Sequence, residues 1–134
     1  MMKTLHLMVG LPRSGKSTEA KKLGFPIVEP DAIRRVLYEK PFDEENEMLV
    51  WGLAKTMVRA LFEAGHKDVI LDACNHNHSR RRIWYSEEWI NEYHIVKTSK
   101  EECIKRAKEL KQDYLVEVIE RIASNYEPLC GEDC

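Results

Sequence analysis

The 134-residue sequence predicts an α/β domain, a short parallel sheet of about four strands with helices on both faces. Three observations carry that prediction. Short apolar runs alternate with stretches of helical periodicity along the whole chain. No linker, repeat or low-complexity window divides it, so one domain over residues 1–134 is expected. A glycine-rich segment, Gly10 to Ser17, follows the first apolar run. A domain of this length buries roughly two-thirds of its unfolded surface, and 43% apolar residues can supply that core.

The elements follow in order. Lys3 to Val9 is an apolar run ended by Gly10 and Pro12, as expected for a buried strand entering a turn. Ser17 to Leu23 reads as a helix, with small hydroxyl residues at its start and Gly24 at its end. Phe25 to Val28 is a short second strand, and Pro30-Asp31 opens a helix to about Tyr38. From Asp43 to Ala64, Val50, Leu53, Met57, Leu61 and Ala64 follow helical spacing and predict a face packed on the sheet. Asp68 to Asp72 is a continuous apolar strand of the kind covered on both faces. Ser79 is placed to cap a helix through about Ile90, His94 to Thr98 is a fourth strand, and helices follow near Glu101–Leu110 and Tyr114–Tyr126. In the last of these, Leu115, Val118, Ile119 and Ile122 share a face.

The segment Gly10-Leu11-Pro12-Arg13-Ser14-Gly15-Lys16-Ser17 fits the phosphate-loop pattern and lies between a predicted strand and a predicted helix, the context that pattern requires. Gly10 and Gly15 let the backbone wrap an anion, and the helix N-terminus, which includes Thr18, adds N–H groups and dipole. Lys16 reaches the β- and γ-phosphates, and Ser17 offers a hydroxyl to Mg²⁺. These residues predict a P-loop NTPase-type three-layer fold and an ATP site. The sequence has no Asn-Lys-x-Asp guanine signature, and its length is short for the usual oligomeric ATPase module. A small phosphotransferase is therefore favoured.

Such an enzyme needs an acceptor side. Asp31 and Arg34 lie three residues apart and share a helix face. There a carboxylate can take a hydroxyl proton while a guanidinium grips a phosphate; ordinary helix N-terminal chemistry explains the pair equally well on spacing alone. Asp72, at the C-terminal end of an apolar strand, is placed to orient Mg²⁺ as a Walker-B acid does. Asn75 either holds the following loop or touches the acceptor.

Taken in order, Gly-x-x-x-x-Gly-Lys-Ser, Asp31-x-x-Arg34 and Asp72-x-x-Asn75 followed by Arg80-Arg81-Arg82 resemble the phosphotransferase family typified by bacteriophage polynucleotide 5′-hydroxyl kinase. The resemblance runs from about Thr4 to Tyr126. It implies that Asp31 is the general base and that Arg34 contacts the nucleic-acid phosphate beside the acceptor hydroxyl. It also implies a small helical lid, about residues 100–114, from which Arg106 reaches the phosphoryl group in transit. The bland alternative for Arg106 is a charge on a solvated helix beside Lys105, Lys108 and Lys111. No second Arg follows at lid spacing, and the larger enzyme's phosphatase domain has no counterpart. The Leu-Pro-Arg-Ser-Gly-Lys-Ser and Val-Arg-Ala-Leu-Phe segments also resemble phage kinases that phosphorylate hydroxymethylated pyrimidines within DNA.

The expected activity is transfer of the γ-phosphate of ATP, with Mg²⁺, to a hydroxyl on nucleic acid, DNA ahead of RNA. The rival readings are a kinase of small molecules or nucleosides and a non-catalytic ATP-binding module. Lys16, Asp31, Arg34 and Arg106 are the candidate catalytic residues. Arg34, Asn75, Arg80 and Arg81 are the candidate acceptor contacts, although Arg80 to Arg82 also suit a solvated helix start. Trp84 and Tyr85 are candidates for base stacking, and Trp51 for the core. The net charge of −2 conceals +4 over residues 1–36 and +2 over 73–100, against −4 over each of 37–72 and 101–134. The basic segments are those that hold the phosphate loop, Asp31-x-x-Arg34 and the Arg80–Arg82 run. A homo-oligomer is left open. The chain lacks an apolar run long enough to span a bilayer and a signal-peptide pattern, so no membrane partner and a cytoplasmic location, the host cytoplasm for a viral protein, are expected. Free thiols are expected at its four cysteines. Cys74-Asn-His76-Asn-His78 lacks the paired spacing of a zinc site, and Cys130 with Cys134 is expected to be inert.

Overall fold

The computed structural model describes residues 2–38 and 46–129. The expected start of the third helix at Asp43, and Cys130 and Cys134, lie outside the described residues. Four strands, β1 (Thr4–Val9), β2 (Ile27–Val28), β3 (Asp68–Leu71) and β4 (Ile90–Ile95), form one parallel sheet in the order β2-β3-β1-β4. Among the described residues, six helices connect and flank them: α1 (Lys16–Leu23), α2 (Pro30–Tyr38), α3 (Glu47–Glu63), α4 (His78–Arg82), α5 (Lys100–Glu109) and α6 (Tyr114–Ser124).

Alternation along β1 divides the interior. Leu5 and Leu7 point to one face, where they meet Val28, Val69 and Leu71, Ala54, Val58 and Phe62 of α3, and Trp84 and Trp89. Met8 and Ile70 point to the other, where they meet Ala20 of α1, with Leu23, Phe25 and Val96 packed alongside. The result is the three-layer α/β arrangement expected from the alternating pattern. A third, smaller cluster, Cys103, Ala107 and Ile119, joins α5 to α6 and reaches Leu11 of the phosphate loop.

Three expectations about elements are corrected. The buried stripe of α3 is Val50, Ala54, Val58 and Phe62, whereas Met57 is 42% exposed and Ala64 lies on the surface. Helical periodicity allows both stripes, and the residues facing the flat sheet include the small ones that let the helix approach. The helix expected over 79–90 is only α4, capped by Asn77, whose side chain accepts from Arg80 N at 2.9 Å. Trp84 and Trp89 are five residues apart, about 140° around a helix, yet both are buried in one core. The chain therefore leaves helical geometry, and Trp89 Nε1 closes the turn by donating to Trp84 O at 3.0 Å. The fourth strand begins at Ile90, not His94, because it pairs with β1 from Thr4↔Ile90 to Val9↔Ile95. It is an edge strand of polar and apolar residues, so no continuous apolar run announces it.

Candidate active site

β1, β2 and β3 all deliver their C-terminal ends to one edge of the sheet, and each delivers a functional residue there. Beyond β1, Gly10 to Gly15 wraps into α1. Gly10 has no room for a side chain, because a Cβ would stand 2.8 Å from Ser14 Oγ and 3.0 Å from Val96 O. Gly15 adopts φ +102°, a left-handed conformation that favours glycine. Arg13 also has positive φ, 67°, and its turn leaves its side chain exposed. Thr98 Oγ1 donates to Ser14 O at 2.7 Å and ties the loop to the chain leaving β4. Lys16 is buried, and its Nζ donates to Leu11 O at 2.7 Å, so the ammonium lies across the loop. Pro12 is half-buried and Thr18 exposed.

Beyond β3 stands Asp72, almost fully buried, and Ser17 Oγ donates to its Oδ2 at 2.7 Å. This pair places two hard oxygen donors together at the floor of the loop. It is the donor set that suits Mg²⁺. Cys74, one step further, lies within electrostatic reach of Lys16, Asp31 and Asp72; burial pushes its thiol up, and Lys16 only partly opposes this.

Beyond β2, α2 carries Asp31 and Arg34. The Arg34 guanidinium donates from Nη1 to Asp31 Oδ1 at 2.5 Å, and from Nε and Nη2 to the two oxygens of Glu47 at 2.8 and 2.6 Å. Burial alone would pull Arg34 down, but its hydrogen bonds and charge interactions with Glu47 and Asp31 hold it above its ordinary value. Asp31 stays largely exposed, with 63% of its side chain open to solvent. No spacing signal singles out Glu47, because it lies thirteen residues from Arg34 on another helix. Trp51 continues the group: its Nε1 donates to Glu47 Oε1 at 3.2 Å, and the guanidinium carbons of Arg34 and Arg80 lie 5.8 and 5.4 Å from its ring centroid. Trp51 thus borders the Asp31–Arg34–Glu47 group as well as the core, and Arg80 joins it there.

Two expected acceptor contacts belong instead to the interior. Arg81 is fully buried, donating from Nε to Asn75 O at 2.9 Å and from Nη2 to Glu127 O at 2.5 Å, with its guanidinium 5.9 Å from the Tyr126 ring. Asn75 is 2% exposed, and its Nδ2 donates to Met8 O at 2.7 Å. It staples the loop after β3 to β1, assisted by Gly10 N donating to Cys74 O at 3.1 Å. The reason is shared: carbonyls of β1, of the loop after β3 and of the chain after α6 accept from these side chains, which join the three segments. Trp84 is also fully buried, which removes it as a stacking candidate, while Tyr85 is 46% exposed.

The segment expected as a lid forms α5 and the turn into α6. Arg106 Nη1 donates to Arg13 O at 3.2 Å, and its Nε pairs with Glu102 at 3.3 Å. A cavity of about 410 Å³ opens between this helix and the loop, lined by Arg13, Lys16, Ser17, Thr18, Arg106 and Glu109 among others. His76, in the loop between β3 and α4, is held down at about 4 by burial and by the charges of Arg80, Arg81 and Arg121.

A phosphate loop between strand and helix, with its serine bonded to a strand-end aspartate, defines a P-loop nucleotide-binding domain with the fold of P-loop kinases. The chain belongs to the AAA domain family, whose model matches residues 5–129. Among solved structures it is similar to a chain of the Pnkp1/Rnl/Hen1 RNA repair complex, with 20% identity and a TM-score of 0.71 over 94% of this chain and 47% of that one. A second structure of a Pnkp1/Rnl/Hen1 complex gives 24% identity and a TM-score of 0.68 over 78% and 39%. The chain is also similar to a fungal RNA kinase (16% identity, TM-score 0.61, 97% and 67% covered) and to a gluconokinase from Sinorhizobium meliloti 1021 (17%, 0.62, 98% and 78%). It spans less than half the length of the chains matched in the RNA repair complex. No curated protein matches it. No helix among the described residues is long and apolar enough to cross a membrane.

Proposed function

We propose that this protein transfers the γ-phosphoryl group of ATP to a hydroxyl on nucleic acid, either the 5′-hydroxyl of a strand or a hydroxymethylated pyrimidine. The observation that carries the proposal is the convergence of Lys16, the Ser17–Asp72 pair and Asp31 at one sheet edge. Phosphoryl transfer demands positioning and charge stabilisation more than covalent chemistry, and the residues divide along those lines. The loop amides and Lys16 hold the donor phosphates, with Arg106 reaching over the loop to stabilise charge on the group in transit. Asp31 takes the acceptor proton. Arg34, braced by Glu47, fixes the orientation of that carboxylate. Ser17 and Asp72 would hold Mg²⁺, which supplies charge neutralisation at the phosphates when bound.

A nucleic-acid acceptor is supported by the surface beside Asp31, where Trp51 lies against Arg34 and Arg80. An aromatic ring beside guanidinium groups suits a base and its phosphates. The printed names of two similar structures, an RNA repair complex and an RNA kinase, support the same class and put RNA beside DNA. The likeness to a gluconokinase, which covers nearly the whole chain, favours a small polyol as the second reading.

One experiment separates these. The protein is incubated with γ-labelled ATP and, in turn, 5′-hydroxyl DNA, 5′-hydroxyl RNA, circular DNA bearing hydroxymethylated pyrimidines, nucleosides and gluconate. Label on a polynucleotide, with apparent affinity falling steeply as salt rises, is the expected result. Label on nucleosides or gluconate alone overturns the nucleic-acid reading. Tight ATP binding with no labelled product overturns the kinase.

A further inference from the structure

On the α1 face of the sheet, remote in sequence from the acceptor residues, three potential ligands meet. His6 pairs with Glu92 across β1 and β4, and Met8 with His94, so the parallel register puts His6, Glu92 and His94 on one face. Their ligand atoms all lie within 4.8 Å of one another. His6 Nδ1 stands 2.9 Å from His94 Nε2 and 3.7 Å from Glu92 Oε2. We propose that His6, Glu92 and His94 form a binding site for a divalent first-row transition ion of the zinc type.

The tautomers prepare it. His6 Nε2 lies 2.9 Å from Asp68 Oδ1, and an ionised carboxylate only accepts, so Nε2 carries the His6 proton. The Nδ1 lone pair is thereby aimed at His94 and Glu92. This is the carboxylate–histidine arrangement that orients a ligating imidazole from behind and raises its basicity. His6 is further fixed by burial and by stacking on Phe25, with ring centroids 5.0 Å apart. In the ion-free site His94 Nε2 donates to His6 Nδ1. An ion replaces that hydrogen bond, with His94 carrying its proton on Nδ1 instead.

The dimensions agree. Tetrahedral ligands at about 2.0–2.1 Å from an ion are roughly 3.3 Å apart, between the 2.9 and 3.7 Å separations observed. Small rotations of the half-buried His94 and the exposed Glu92 suffice. Two imidazoles and one carboxylate leave a fourth position for water, and this nitrogen-rich set selects zinc-type ions over Mg²⁺. The site opens to solvent through the exposed Glu92 side chain, and a surface cavity of about 450 Å³ borders His94. A bound ion would clasp edge strand β4 to β1, the strand that leads into the phosphate loop.

The test uses the full chain in excess Mg²⁺, titrated with zinc and followed by calorimetry and by the imidazole nitrogen resonances. The expected result is one equivalent bound, with the His6 Nδ1 and His94 Nε2 signals moving together. His94→Ala should weaken binding by about a hundredfold, and Glu92→Gln and Asp68→Asn each by about tenfold or more. Glu92 is exposed, so Glu92→Gln keeps the test valid if His94→Ala does not fold. Cys74→Ser with His78→Ala should leave affinity within about twofold. Loss of binding in that double variant, unchanged binding in Glu92→Gln, or no binding at sub-millimolar zinc overturns the site.

Discussion

Ser17 Oγ donates to Asp72 Oδ2 at 2.7 Å and joins residues 55 positions apart in the chain. The contact locks the first turn of α1 to the end of β3 and keeps the loop serine beside the strand-end acid. Asp72→Asn should lower the phosphoryl-transfer kcat by about a hundredfold, roughly 2.7 kcal/mol of transition-state stabilisation, and flatten its dependence on Mg²⁺ concentration. Steady-state rates across a Mg²⁺ series check this; a variant with the parent's Mg²⁺ profile removes Asp72 from the metal role.

Asp31 is the exposed carboxylate of the site, and Arg34 holds it. Asp31→Asn should cost about a hundredfold or more in kcat, the usual weight of general-base catalysis, with ATP affinity unchanged. Glu47→Gln leaves the base in place and loosens only its brace, so a smaller loss of about tenfold is expected. Single-turnover transfer rates, with nucleotide binding measured separately, distinguish the two. Equal losses in both variants would mean that Asp31 is structural.

Adjacent arginines should behave oppositely. Arg80 lies against Trp51, the proposed acceptor surface, so Arg80→Ala should raise the acceptor KM and reduce the salt slope of binding by about one. Arg81→Ala removes a fully buried side chain and the donor to the buried Asn75 O and to Glu127 O, and should cost about 2–4 kcal/mol of stability. Urea unfolding and acceptor titrations on both variants decide the matter.

Gly10 sits where a methyl group would press on Ser14 Oγ and Val96 O. The carbonyl belongs to backbone hydrogen-bonded to β1, so it has little freedom to move. Gly10→Ala should therefore destabilise by about 1–3 kcal/mol, as overpacking does, and weaken ATP binding by reshaping the loop. Thermal melts with and without nucleotide measure both effects.

His76 is held near 4 when folded, against an ordinary value of 6.5. As pH falls, the unfolded chain takes up this proton first, so stability is full above about 6.5 and declines towards about 4. His76→Gln should remove that decline and narrow the difference in Tm between pH 7.5 and pH 5. An unchanged difference would assign the acid sensitivity to other groups.

Legibility in the sequence followed how local each feature is. The phosphate loop could be read because its glycines, lysine and serine serve one anion through contiguous backbone. Asp31 and Asp72 could be placed because apolar strands end just before them, and a parallel sheet sends those ends to one edge. The alternation of apolar runs and helical periods likewise announced β1, β2 and β3 and the layers around them.

Partners chosen across the sheet were not legible. Arg34 and Glu47 lie on different helices, and no spacing rule links them. Arg80 and Arg81 look alike in sequence, yet the fold sets one against Trp51 and buries the other on the carbonyls of Asn75 and Glu127. β4 has polar residues at an edge, so its start became visible only through its register with β1.

The sequence alone determined the class of fold and the phosphate-binding chemistry, because both are written in short-range patterns of backbone freedom, charge and burial. Tertiary structure decided which carboxylate braces Arg34, which arginine is buried, and that His6, Glu92 and His94 meet. Strand register and helix packing set those distances, and they depend on contacts between residues far apart in the chain.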